Sequence, residues 1–274
     1  MHQPVDIVVD RHIRKLFFDP RRYSCEIISR SHRTAYVSLN NSKIVTLLAG
    51  TNEQCNPVTA VFPYRMPDFF KEKKYFHIQR GRCYSDDKMI YLNPIDHSSK
   101  KINDIKFDPL NKQNISALNS YVKKTDFAYL DLIKINIEKM EKAWKKNNPG
   151  KFYENLTDIA GLGEGLTPST DDFICGTILV MKLLIEAGRT EKIWNPPFLK
   201  TARVIYKKTG RISWYYIVLA MMGYVSDWQF ILFEKLASDI PLKEEELENI
   251  NYGHTSSKDF LCGVDFMFNL FSGE

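Results

Sequence analysis

The chain has 274 residues, 38 of them basic and 33 acidic, for a net charge of +5, and 44% of the residues are hydrophobic against 26% charged. That is enough for one large domain or two modest ones with real cores, and the composition argues against a disordered chain. Near-balance of charge argues against a nucleic-acid partner, while the mildly basic excess suits an anionic metabolite. The basic stretch at 71–88 interleaves Tyr75, Phe76 and Tyr84 with Lys73, Lys74, Arg80 and Arg82, but Glu72, Asp86 and Asp87 dilute it, so it reads as a solvated strand-and-turn surface. Cys25, Cys55, Cys83, Cys175 and Cys262 are odd in number and widely spaced. Neither a disulfide framework nor a zinc site is expected, and a reducing cytoplasm fits best. Residues 1–10 lack a signal pattern. The longest nearly apolar run, 212–222, is about half the roughly 20 residues that span a bilayer, so no membrane association is expected.

In chain order, 5–18 admits a strand followed by a short helix without deciding it. Segments 35–40 and 43–49 are β-branched and apolar, and Asn40-Asn41-Ser42 between them signals a hairpin. Short strands are expected at 58–62, 75–79 and 88–92, punctuated by Pro57, Pro63, Pro67 and Pro94. The character changes near Pro109. From 113 to 148 the pattern is helical, with Leu130, Ile133, Ile137, Met140 and Trp144 at spacings of three and four, until Asn147-Asn148-Pro149-Gly150 stops it. Further helices are expected at about 172–187, 197–208, 213–224, 228–238 and 257–271. The fold class is therefore α+β, with a β-rich, barrel- or sandwich-like domain at 1–110 and a helical domain at 111–274.

The segment Gly161-Leu162-Gly163-Glu164-Gly165-Leu166-Thr167-Pro168-Ser169-Thr170-Asp171-Asp172 is the most informative. Its alternate glycines permit positive backbone dihedrals and close approach by a ligand. Thr167 or Ser169 can cap the following helix, with Pro168 at its first position. A glycine-rich turn feeding a helix start gathers free N–H groups and the positive end of the dipole, which suits phosphate or carboxylate. Gly161, Gly163, Gly165, Thr167, Ser169 and Thr170 are the anion-binding candidates. The segment is neither a Walker A loop nor a dinucleotide loop, since no GK[ST] follows and no βαβ unit surrounds it. Asp172 either closes a capping box with Ser169 or acts on a ligand. For Asp171 a ligand, metal or acid–base role goes beyond what capping needs. Magnesium is conceivable there but not demanded, so the cofactor is unknown.

The stretch from Ser169 to Gly176 recurs from Ser256 to Gly263, with five of eight positions identical. Each copy heads an apolar helix, and Gly176 and Gly263 permit close packing. The two helix starts are expected to face each other across one pocket, which adds Ser256 and Ser257 to the anion-binding candidates and Asp259 to the catalytic ones. Cys175 and Cys262 then read as core residues. Arg211, in Thr209-Gly210-Arg211-Ile212-Ser213, is a candidate anion clamp or a surface arginine. His254 is a candidate acid–base or a structural donor. The other histidines form no ligand-spaced cluster, and no metal ligands are assigned.

On these residues the chain resembles the AllH-like family, named for the H subunit of the oxamate carbamoyltransferase of anaerobic allantoin degradation. Its G-x-G-x-G-L-T-P-S-G-D-D signature matches at 161–172, a T-x-x-S segment matches approximately from Thr209 to Ser213, and a late G-x-x-S-G-x-D-x-L-x-G signature matches at 253–263. Thr170 and Ser257 stand where the family has glycine. The resemblance implies a subunit of a hetero-oligomeric enzyme interconverting oxalurate plus phosphate with oxamate plus carbamoyl phosphate. Three readings follow: a carbamoyl- or acyl-phosphate-transferring subunit, a non-catalytic metabolite-binding or scaffold subunit, and a divergent enzyme acting on another small amide or carboxylate.

Overall fold

Alternation of apolar and polar residues closes the N-terminal strands into a barrel. The structure, a computed structural model, describes residues 4–50, 56–105, 111–125, 127, 129–250 and 255–273. The first elements are β1 (Val5–Asp10), α1 (Arg11–Phe17), β2 (Tyr23–Arg30), β3 (Thr34–Leu39), β4 (Lys43–Ala49), β5 (Thr59–Phe62), α2 (Asp68–Glu72), β6 (Tyr75–Gln79), β7 (Arg82–Tyr84) and β8 (Met89–His97). Their order round the closed barrel is β1-β5-β4-β3-β2-β6-β7-β8. Only the β4–β5 and β8–β1 pairs run parallel. Period-two positions such as Tyr23, Cys25 and Ile27, or Ala35, Val37 and Leu39, fill the interior with Phe17 of α1 and Phe69 and Phe70 of α2. The β3–β4 hairpin forms as its turn residues require, with Asn40 and Asn41 both in the left-handed region at φ 48° and 56°. Residues 5–18 resolve into a strand and then a helix, and β2 and β7 are strands that the pattern left unassigned. Pro94 continues β8 beyond its pairing with β7, where the missing N–H faces no second neighbour.

The chain divides into two compact units, one of Met1–Lys100 with Tyr224–Gln229 and one of Lys101–Gly223 with Phe230–Glu274. Beyond the barrel come α3 (Lys112–Lys124), α4 (Leu130–Lys145), α5 (Pro149–Asp158), α6 (Ser169–Glu186), α7 (Phe198–Tyr206), α8 (Arg211–Met221), α9 (Asp227–Leu236), α10 (Glu244–Glu248) and α11 (Ser256–Ser272). The expected stop at Asn147-Asn148-Pro149-Gly150 ends α4 and also starts α5. Asn147 turns the chain at φ 49°, the Asn148 side chain accepts from the Lys151 N–H at 3.0 Å, and Pro149 takes the first helical position. Buried Asn114 pins a distant segment, donating to the carbonyls of Lys235 and Ile240 at 2.8 Å and accepting from the Leu242 N–H at 2.8 Å. No helix among the described residues is long and apolar enough to cross a membrane.

Helix α6 is the axis of the second unit. All its residues except Asp172, Lys182 and Glu186 are buried, the signature of a helix packed on every side. Its closest neighbour is α11, and the two backbones touch at the paired glycines. A Cβ on Gly176 would lie 2.2 Å from the Phe260 carbonyl oxygen, and one on Gly263 would lie 2.0 Å from that of Phe173. The repeated glycines therefore do what the sequence anticipated. Gly263→Ala is expected to force the helices apart and to lower unfolding free energy by about 1–3 kcal/mol or more, the usual cost of overpacking. Urea unfolding followed by circular dichroism reads this. A midpoint equal to the parent's would contradict the close crossing.

Candidate functional site

Three positive-φ glycines carry the chain from α5 to α6: Gly161 at 82°, Gly163 at 121° and Gly165 at 91°. At Gly161 no side chain fits, since a Cβ would lie 2.1 Å from the Lys208 carbonyl oxygen. The Gly161 N–H instead donates to Asp171 Oδ1 at 2.8 Å. The other oxygen, Oδ2, accepts from the Thr209 hydroxyl and, at 2.6 Å, from the Ser213 hydroxyl. One carboxyl of α6 thus fastens the glycine loop, the turn before α8 and the first turn of α8. Thr170 secures the next residue. Its hydroxyl accepts from the Leu162 N–H at 3.0 Å and lies 2.6 Å from the Ile159 carbonyl oxygen, and the Thr170 N–H returns to Leu162 O at 3.2 Å.

The helix starts correct one expectation. Neither Thr167 nor Ser169 caps α6. The cap is Pro168, without a side-chain bond, and Ser169 is the first helical residue. The N–H groups of Asp171 and Asp172 go to the Pro168 carbonyl, at 2.8 and 3.4 Å. The capping box between Ser169 and Asp172 does not form, because both side chains find partners on the other helix. Hydrogen bonding from Ser256, which begins α11, and from Thr167 acts on the Asp172 carboxyl. Hydrogen bonding from Ser169 and Thr255 acts on Asp259. The Thr167 and Ser256 hydroxyls lie 3.2 Å apart. The repeat is therefore reciprocal: the fourth residue of each helix meets the first residue of the other.

This arrangement concentrates buried negative charge. Asp171 is 1% exposed and Asp259 4%. Burial raises the pKa of Asp171 against the hydrogen bonds of Ser213, Thr209 and Gly161. Burial raises Asp172 well above the usual carboxylate range, opposed by Ser256 and reinforced by the charges of Asp259 and Asp171. Burial also raises Asp259, opposed by Ser169 and Thr255. Oδ2 of Asp172 and Oδ2 of Asp259 are sealed from solvent and have no hydrogen-bond partner among the described residues. In the loop that leads to α6, the N–H groups of Gly163, Glu164, Gly165, Leu166 and Thr167 have no partner among the described residues. The loop is half-buried at Gly163 and Thr167 and exposed from Glu164 to Leu166. Among the described residues no group of three His, Cys, Asp or Glu is placed to hold a metal ion.

Of the expected site residues, Gly161, Gly163, Gly165, Thr167, Ser169, Thr170, Asp171, Asp172, Ser256 and Asp259 gather at this one place. Ser257 is buried in the first turn of α11, and Arg211 opens α8, half-buried, between the two hydroxyls that hold Asp171. His254 and Gly253 lie outside the described residues. Cys175 and Cys262 are core residues whose thiols burial pushes up, that of Cys262 to about 12. Thr209 and Ser213 were absent from the expected site. The one signal for them was the approximate T-x-x-S match; Thr209 stands before the Gly210 cap of α8 and Ser213 in its first turn.

Residues 159–268 match the family model described as oxamate carbamoyltransferase subunit AllH, and the chain resembles that family over this span. The match starts at the end of α5 and covers the glycine loop, both crossing helix starts and the Thr209–Ser213 segment. No curated protein and no solved structure matches the chain.

Two substitutions probe the site as chemistry. Thr170→Val keeps the shape and strands the Leu162 N–H and the Ile159 carbonyl, at an expected cost of about 1–3 kcal/mol in unfolding free energy. An unchanged urea midpoint would contradict the clamp. For Asp172 the folded pKa lies above the unfolded one, so the folded protein holds the proton more tightly. The associated stability is present below about pH 4 and is lost as pH rises through the folded value. Asp172→Asn is therefore expected to gain stability over the parent progressively above about pH 4. Parallel curves of unfolding free energy against pH for the two proteins would rule out the buried, uncompensated carboxyl.

Proposed function

We propose that the chain is a subunit of an oxamate carbamoyltransferase-related enzyme and that the α6–α11 crossing binds its small anionic substrate. The observation carrying this reading is the row of backbone N–H groups from Gly163 to Thr167 without a partner among the described residues, in the half-buried to exposed loop that leads to the start of α6. The family match over the same residues supports it. In this reading the amides of Gly163 and Gly165, with the hydroxyls of Thr167, Ser169, Ser256 and Ser257, receive a carboxylate or phosphate at two helix N-termini. Asp172 and Asp259 accept from the N–H groups of an amide such as oxamate. Arg211 and His254 assist with charge and proton. Asp171 and Thr170, whose polar side-chain atoms are spent inside the protein, position the loop and do not touch substrate.

The chemistry is the exchange of a carbamoyl group between an amide nitrogen and phosphate. A phosphate oxygen attacks the carbamoyl carbon of oxalurate, the C–N bond breaks, and a proton reaches the departing nitrogen to give oxamate. Donors fixed on the developing oxyanion stabilise the addition step. Partner subunits and a site in the cytoplasm belong to the same proposal. The complete use of Thr170 and Asp171 in internal bonds favours a second reading, a non-catalytic subunit in which the motif only locks the helices.

Calorimetry separates the two. The first reading expects saturable binding of oxamate or phosphate to the purified chain, and turnover of carbamoyl phosphate with oxamate when partner subunits are added. Asp259→Asn is expected to cut that turnover by about 100-fold or more, in the range for groups that meet the reacting atoms. Absence of binding and of turnover in the complete assembly would favour the locking role.

A further inference from the structure

The outer wall of the barrel along β6, β7 and β8 takes no part in the site described above. Strand alternation points His77 and Gln79 of β6, Arg82 and Tyr84 of β7, and Met89 and Tyr91 of β8 away from the filled interior. The register sets Tyr84 between His77 and Met89, and Arg82 between Gln79 and Tyr91. Two guanidinium groups lie over rings of this face, that of Arg22 5.6 Å from the Tyr84 centroid and that of Arg82 5.5 Å from the Tyr91 centroid. Arg80 stands in the β6–β7 turn at φ 51°, where asparagine or glycine is the usual residue. Met89 is 43% exposed and Tyr91 37%. The carboxylates around this wall are matched by other cations: Asp19 by Arg21, Glu26 by Lys74, Glu72 by Lys88 and Asp87 by Lys73. Asp86, in the β7–β8 turn, is exposed and forms no ion pair among the described residues. Arg22, Arg80 and Arg82 are exposed and form none either. The unmatched charge of the wall is therefore positive.

We infer that this wall docks an acidic segment of a different protein chain, whose carboxylates meet Arg22, Arg80 and Arg82 while its apolar groups cover Met89 and Tyr91. Tyrosine, methionine and arginine are the residue types that the centres of protein interfaces concentrate, and tyrosine and arginine dominate their binding energy. Lysines and carboxylates belong to the rim, and here Lys74, Lys88 and Asp86 stand at the strand ends. A guanidinium held over a ring keeps its edge N–H groups available for a carboxylate and loses less freedom on binding. Charge selects among the occupants. A second copy of the chain, paired through the same patch about a two-fold axis, would set these arginines against one another, and the chain as a whole carries +5. A nucleic-acid strand calls for a basic groove that tracks its backbone, and three cations with Asp86 beside them do not make one. The inference concerns the barrel alone and stands whether or not the glycine loop binds an anion.

A random copolymer of glutamate and tyrosine is the probe, because it offers carboxylates and rings together. Fluorescence anisotropy of the labelled copolymer with the whole chain is expected to show saturable binding that weakens as salt is raised. Arg22→Glu combined with Arg82→Glu is expected to weaken it by about tenfold or more, and Tyr91→Ala to weaken it severalfold, as truncation of interface arginines and tyrosines does. Lys139→Glu combined with Lys142→Glu, on exposed positions of α4, makes the same change in net charge and is expected to leave the affinity close to the parent's. All the substituted residues are exposed, and circular dichroism checks that the variants stay folded. No binding of the copolymer, equal binding of a lysine–tyrosine copolymer, an arginine variant that binds as the parent does, or equal losses in the two double variants would overturn the inference. Tighter binding of an oligothymidylate than of the copolymer would overturn it in favour of nucleic acid. A dimer in sedimentation that only the arginine variant loses would overturn it in favour of self-association.

Discussion

The contact between the backbones of α6 and α11 governs everything else at the site. Two glycines, Gly176 and Gly263, bring each helix within reach of the other's carbonyls. At that separation the first turns share one space, and the repeated Ser and Asp positions meet as partners across helices. Were the crossing wider, Ser169 and Ser256 would be left to cap their own helices. The reciprocal arrangement is thus a consequence of close packing, and its price is a pair of carboxyls held side by side out of water.

Three devices keep the glycine loop in position against that charge. Asp171 gathers one backbone N–H and two hydroxyls from segments far apart in sequence. Thr170 closes the loop on itself. Gly161 passes under the Lys208 carbonyl where no side chain has room. The amides from Gly163 to Thr167 take no part in these bonds.

Much of this was legible in the sequence, and the reasons for the rest are specific. The β3–β4 hairpin was readable because Asn40 and Asn41 tolerate the left-handed region. The pairing of α6 with α11 was readable because a duplicated motif heads both helices and carries glycine at the same offset. Helix α5 was not, since Asn-Asn-Pro-Gly signals a stop as strongly as it signals a start. The cap of α6 was misread because Ser169 and Asp172 have the spacing of a local box, and only tertiary structure reveals that their partners lie on α11. The hold of Thr209 and Ser213 on Asp171 spans 38 and 42 residues, beyond the reach of any local pattern.

The central claim is that the open amides of the glycine loop receive a small anion. Backbone amide NMR of the 15N-labelled chain, titrated with oxamate, tests it most directly, since an N–H that gains an anionic acceptor shifts downfield. The account predicts saturable shifts of the Gly163, Gly165 and Thr167 amides, with the hydrogen-bonded Gly161 and Leu162 amides moving little. Shifts confined to residues elsewhere, or a titration that leaves the loop glycines unmoved, would contradict it.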